Sequence, residues 1–126
     1  MRLNAIHHVA IIVSDYERSR AFYVDKLGFE VLRENCRADR GDRKLDLRVG
    51  DAELELFCGG EHPVRPSYPE AIGLRHLAFR VENVENTARE LNALGIETEP
   101  IRFDPYTRNR MTFFHDPDGL PLELHE

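Results

Sequence analysis

Two stretches of the chain repeat one pattern. His8-Val9-Ala10-Ile11-Ile12-Val13 and His76-Leu77-Ala78-Phe79-Arg80-Val81 each open on histidine, pass through apolar–Ala–apolar and end in Val. Each runs on to a Leu-Gly pair, Leu27-Gly28 and Leu94-Gly95, and later to a Leu-Glu-Leu triplet, Leu54-Glu55-Leu56 and Leu122-Glu123-Leu124. The spacing from His8 to Glu55 is 47 residues, and it is 47 again from His76 to Glu123. A chain written twice folds as one small unit used twice, and here each copy brings one imidazole and one carboxylate.

Length and charge narrow what the pair of units can be. At 126 residues the length prior is a single domain spanning residues 1–126, and each half alone is near the size at which folding becomes marginal. The net charge of −6 speaks against nucleic acid as a partner. No run approaches the ~18 apolar residues of a membrane span, and Met1-Arg2-Leu3-Asn4 leads into a strand pattern without the apolar core of a signal peptide. A cytoplasmic location is therefore expected. Cys36 and Cys58 fall on different predicted strands and, in a reducing compartment, are expected to be buried thiols rather than a disulfide.

The first module is expected over residues 5–58. Residues 5–13 alternate as a strand, with His7, Val9, Ile11 and Val13 on one face and His8, Ala10 and Ile12 on the other. Ser14-Asp15-Tyr16-Glu17 has the form of a capping box, and Gly28 supplies the helix stop. Strands follow at 29–36, 44–49 and 52–58, the last two joined by Gly50-Asp51. Residues 59–73 hold three glycines and three prolines and read as a linker. The second module, 74–126, repeats the order: a strand at 74–81, a helix at 84–94 capped by Asn83, and strands at 96–103, 111–115 and 120–125. Pro100 weakens the first of these three, and Asp116-Pro117-Asp118-Gly119 is a turn. The fold class is α+β, two strand–helix–strand–strand–strand modules.

Strand parity selects the chemistry. Leu54 and Leu56 share a face and Glu55 opposes them; Leu122, Leu124 and Glu123 repeat this. The leucines pack under a helix, so each glutamate lies on the face of its module's histidine. A lone strand histidine or glutamate is more often a packed or solvated residue than a ligand; four at matched spacing and matched face point to a metal site. Two ionised carboxylates in one cleft need a cation to compensate their lost hydration. The metal ligands are thus expected to be His8, Glu55, His76 and Glu123, a set that suits Zn, Ni, Co, Mn or Fe(II). Arg80 falls on the His76 face, and Arg108 and Arg110 precede a strand of the same half; all three are candidates for binding an anionic substrate group.

These residues resemble the vicinal oxygen chelate superfamily, the glyoxalase I, bleomycin-resistance and extradiol-dioxygenase group. The similarity rests on Ile6-His7-His8-Val9-Ala10 with Asp15, Phe22-Tyr23, Leu27-Gly28-Phe29, Leu54-Glu55-Leu56, Arg75-His76-Leu77-Ala78-Phe79 and the Asp116-Pro117-Asp118-Gly119 turn running into Leu122-Glu123-Leu124. The tail from Asp104 to Glu126 is especially similar to the short bacterial YaeR-like members. The resemblance implies two βαβββ modules forming a cupped mixed sheet, a homodimer, and a divalent ion, with Zn or Ni foremost, on the four residues named above. It implies a metal-dependent lyase or isomerase of glyoxalase I type, in which Glu55 or Glu123 moves a proton on a small substrate chelated through neighbouring oxygens. Bacterial glyoxalase I carries an Arg four residues after its first metal histidine and an Asn four after its first metal glutamate, where this chain has Ile12 and Gly59. Both residues help hold glutathione there, so the resemblance does not fix a glutathione adduct as the substrate, while the metal chemistry is kept. Three other activities share the scaffold: an extradiol-type dioxygenase, an acyl-thioester epimerase, and a drug- or metabolite-binding protein without turnover.

Overall fold

The computed structural model describes all residues from Met1 to Glu126. It resolves into two compact units, Met1–Pro63 and Val64–Glu126, each built around a four-stranded mixed sheet.

In the first unit β1 (His8–Ile12) leads to helix α1 (Tyr16–Arg20), which widens into a π-helical segment at Ala21–Lys26. Strands β2 (Glu30–Arg37), β3 (Asp42–Val49) and β4 (Ala52–Cys58) follow. The sheet order is β1-β4-β3-β2, with β1 parallel to β4 and the remaining pairs antiparallel. A parallel neighbour needs a crossover, and the helix after β1 begins it. Ile11, Val13, Leu45, Leu47, Leu54 and Leu56 bury one face of the sheet together with Tyr16, Phe22 and Tyr23 of the helical segment. The expected alternation of β1 and β4 therefore holds, and His8, Ala10 and Glu55 occupy the opposite face.

The helix start differs from expectation by one residue. Asp15, not Ser14, is the N-cap: its extended backbone turns into the helix and its carboxylate accepts from Arg18 N at 3.0 Å. Aspartate is as good a cap as serine and adds a negative charge at the positive end of the helix dipole. Cys36 is exposed rather than buried, and Cys58 is half-buried. Both lie opposite Arg43, on either side of β3. Two interstrand spacings, about 9.6 Å, separate them, beyond the reach of a disulfide.

The second unit repeats the plan with β5 (Leu77–Arg80), α2 (Val84–Ala93), β6 (Arg102–Phe103), β7 (Arg110–His115) and β8 (Pro121–His125) in the order β5-β8-β7-β6. Asn83 caps α2 through its side-chain oxygen, which accepts from Asn86 N at 2.8 Å. Val84, Ala88 and Leu91 of α2 pack over Thr112, Phe114, Leu122 and Leu124. The Asp116 turn forms as expected: one carboxylate oxygen accepts from Asp118 N at 2.9 Å and from Leu120 N at 2.8 Å. The strand expected at 96–103 shrinks to β6. Its first part keeps one backbone bond to β7, Glu99 N to Phe113 O at 2.8 Å, and is otherwise tied by side chains, with Asn92 bonded to Thr98 and the Thr112 hydroxyl donating to Glu99 O at 2.7 Å. No helix is long and apolar enough to cross a membrane.

Candidate metal centre

Each unit places a histidine beside a glutamate on the sheet face away from its helix. In the first, β1 and β4 run side by side with Ala10 opposite Glu55, and His8 Nε2 lies 3.9 Å from Glu55 Oε2. In the second, His76 directly precedes β5, Ala78 is opposite Glu123, and His76 Nε2 lies 2.9 Å from Glu123 Oε2. The same ring nitrogen meets the same kind of oxygen in both. The two pairs are thus equivalent by fold as well as by sequence.

Their surroundings are not equivalent. Around Glu55, charges of alternating sign cross three strands. Lys44 Nζ donates to Glu55 Oε1 at 2.8 Å and lies 3.0 Å from Asp46 Oδ1. Arg33 Nε donates to Asp46 Oδ2 at 2.8 Å and its guanidinium also binds Glu53. Asp46 is 1% exposed. Burial alone would raise its carboxyl, but Lys44 and Arg33 outweigh it and hold the group below its usual value. Desolvation likewise opposes the charge on Lys44, and the bonds from Glu55 and Asp46 overcome it and raise the ammonium. Asp46, Glu53 and Glu55 are close enough to form a carboxylate nest for a cation; Lys44 and Arg33 provide its positive charge.

Glu123 faces an aromatic ring where Glu55 faces Asp46. It is opposite Phe113 in the β7–β8 register, and the Phe113 ring meets the His76 ring edge-on at 5.2 Å. The carboxylate is 8% exposed at its side chain, with His76 as its ion-pairing partner, and Arg102 lies over the Phe113 ring at 5.7 Å. A buried carboxylate beside an imidazole fits a cation-binding role. The donor set of the four residues, two imidazole nitrogens and two carboxylates, suits a borderline divalent ion.

The three candidate arginines separate. Arg80 is opposite His125 and stands exposed on the Glu123 face. Arg108 is exposed in the loop before β7, with its backbone N–H on Asp104 O. Arg110 belongs to β7 and alternates with Met111, so it points to the α2 side, 3.8 Å from Glu85 and 3.7 Å from Glu126. Its place is in an ion-pair cluster on the helix face, away from Glu123. Sequence reasoning passed over Lys44, Asp46 and Arg33. The signal for two of them was present: the two-residue turn at Gly50-Asp51 sets Asp46 across from Glu55 and Lys44 across from Phe57.

Comparison with known proteins shows the family. Residues 5–124 match the model of the Glyoxalase/Bleomycin resistance protein/Dioxygenase superfamily. The uncharacterized protein YwkD of Bacillus subtilis is 58% identical, with 100% of this chain and 99% of YwkD covered. The uncharacterized protein YaeR of Escherichia coli is 50% identical, with 98% and 97% covered. A solved glyoxalase family protein from Enterococcus faecalis is 61% identical over 100% of both chains, with a TM-score of 0.94. More distant relatives include the 2-epi-5-epi-valiolone epimerase of Actinomyces sp (32% identical over 95% of this chain and 78% of the relative) and the mitochondrial methylmalonyl-CoA epimerase of Bos taurus (29%, 98% and 75%). A glyoxalase I from Zea mays shares the fold at a TM-score of 0.81 and 20% identity, over 95% of this chain and 44% of that one. With a family match over residues 5–124 and relatives at 58% and 50% identity over nearly the whole chain, the chain belongs to the Glyoxalase/Bleomycin resistance protein/Dioxygenase superfamily.

Proposed function

We propose that the protein is a metal-dependent lyase or isomerase of glyoxalase I type, with His8, Glu55, His76 and Glu123 holding one divalent ion, Zn or Ni foremost. The observation that carries this reading is the duplicated approach of an imidazole Nε2 to a carboxylate oxygen, 3.9 Å in one unit and 2.9 Å in the other. When bound, such an ion supplies a Lewis acid that polarises substrate oxygens and makes an adjacent C–H proton more acidic.

The chain's own residues divide the remaining work. Glu123 takes the proton from carbon and returns it to the neighbouring carbon. It is buried and faces Phe113, and its carboxylate meets the His76 ring nitrogen at 2.9 Å. Glu55, whose Oε1 is already engaged by Lys44, is left as a ligand. The exposed Arg80, on the Glu123 face, binds an anionic group of the substrate. Arg108, in its exposed loop, is a second candidate for that task. In this reading the protein works as a cytoplasmic homodimer, for which the exposed apolar Val64, Tyr68 and Ile72 offer contact surface.

A second reading is epimerisation at the carbon next to a carbonyl, favoured by the epimerases among the relatives. Both readings begin with the same proton abstraction. The deciding experiment is metal analysis of the purified protein, followed by incubation of hemithioacetals, 2-hydroxy ketones and acyl thioesters in D₂O. Deuterium incorporation with net isomerisation supports the first reading; incorporation with inversion alone supports the second. Glu123→Gln is expected to lower exchange by at least about 100-fold, the usual scale of a general base. Exchange at wild-type rate in Glu123→Gln refutes its role as base.

A further inference from the structure

The two His–Glu pairs lie in unlike surroundings. Lys44 of the first unit corresponds to Met111 of the second, and Asp46 to Phe113, because each occupies the same register against its glutamate strand. The polar cluster around Glu55 is therefore a property of one half and not of the duplicated scaffold.

From this geometry we infer that Lys44 is a positioning residue that restricts Glu55 to one donor oxygen and so keeps a position on the ion open for substrate. The inference rests on the ion-binding reading above. Glu55 Oε1 is engaged by Lys44 Nζ at 2.8 Å, while Oε2 is the oxygen that faces His8. The ammonium is itself fixed: Asp46 holds it at 3.0 Å, Phe57 lies beneath it at 5.3 Å, and Asp46 is anchored from the other side by Arg33. A lysine clamped between two carboxylates and an aromatic ring has little freedom to release Oε1. A carboxylate with both oxygens free can chelate an ion through both; Glu55 cannot do so without breaking the bond to Lys44. Bidentate binding would fill one of the positions that a substrate with two neighbouring oxygens needs. Glu123 has no such restraint, since Phe113 and Met111 offer no donor to its second oxygen.

The test uses Mn(II) as the probe and reads the water-proton relaxivity per bound ion, which counts the water positions on the ion and needs no turnover. Six positions less four single-atom ligands leave two, so a second oxygen from Glu55 displaces about half of the bound water. Lys44→Met is expected to lower the water-exchange contribution to relaxivity about twofold, and Lys44→Arg to keep it at the wild-type level. Lys44→Thr, a β-branched residue suited to a strand and too short to reach Glu55, repeats the truncation should the methionine variant misfold. In a Glu55→Gln background the Lys44 truncations are expected to change nothing further. If Lys44→Met and Lys44→Thr both bind Mn(II) with wild-type relaxivity, the positioning role is overturned while the ion site stands. If the wild type binds no Mn(II), Zn(II) or Ni(II), the ion-binding reading itself fails and the inference falls with it.

Discussion

Single residues in this protein are set by their neighbours across the sheet more than by their own type. Tyr16 shows it away from the site. It is 6% exposed, its hydroxyl donates to Glu34, and the Arg43 guanidinium lies 3.4 Å above its ring. Burial, then the bond to Glu34, then the charge of Glu34 push its ionisation up to about 12. A folded-state value above the unfolded one means the stabilisation is complete below pH 10 and disappears as pH rises through the folded value. The wild type should therefore lose about 2 kcal/mol of stability between pH 10 and 12. Tyr16→Phe should be less stable at neutral pH and lack this particular loss. Urea unfolding across that range checks it, and identical pH profiles for the two proteins would count against the coupling.

At the scale of elements, each helix depends on one cap. Asp15→Ala removes the acceptor for Arg18 N and is expected to cost about 1 kcal/mol, a fall in melting temperature of about 4 °C; Asp15→Ser should recover most of it. A thermal melt of the three proteins decides this, and no change in Asp15→Ala would reassign the cap. The element plan itself was legible in the sequence. Alternation in β1, the Gly50-Asp51 turn, the Asn83 cap and the Asp116 turn are local signals, and local hydrogen bonds carry them out. The stretch before β6 was not legible, because only Glu99 N keeps a ladder bond, to Phe113 O, while Asn92 and Thr112 take Thr98 N and Glu99 O. That substitution depends on residues distant in the chain. The four ligand candidates were legible through the repeat, whereas Arg110 was not placed correctly by loop proximity. Its face depends on β7 beginning at Arg110, which puts it out of phase with Met111 and Phe113. The Lys44–Asp46 cluster was calculable from the hairpin turn, yet hairpin register must be drawn before such a pair becomes visible.

For the whole molecule, duplication raises a question of number. Each unit owns a His–Glu pair, and two pairs can hold one ion together or two ions separately. A single imidazole and a single carboxylate leave a divalent ion mostly hydrated, and structural or catalytic sites use three or four protein ligands. Neither pair alone has both the charge and the ligand count for tight binding. The expected stoichiometry is one ion per chain, whether a given ion draws its two pairs from one chain or from two. The variant His8→Ala/Glu55→Gln and the variant His76→Ala/Glu123→Gln should then each lose at least about 100-fold in affinity, since removal of even an outer partner costs 10–100-fold. Equilibrium dialysis with Zn(II), followed by chelator competition, measures both quantities. Two ions per chain in the wild type, or one retained at wild-type affinity in either variant, would show that the pairs act alone and that the duplicated halves do not cooperate on a common ion.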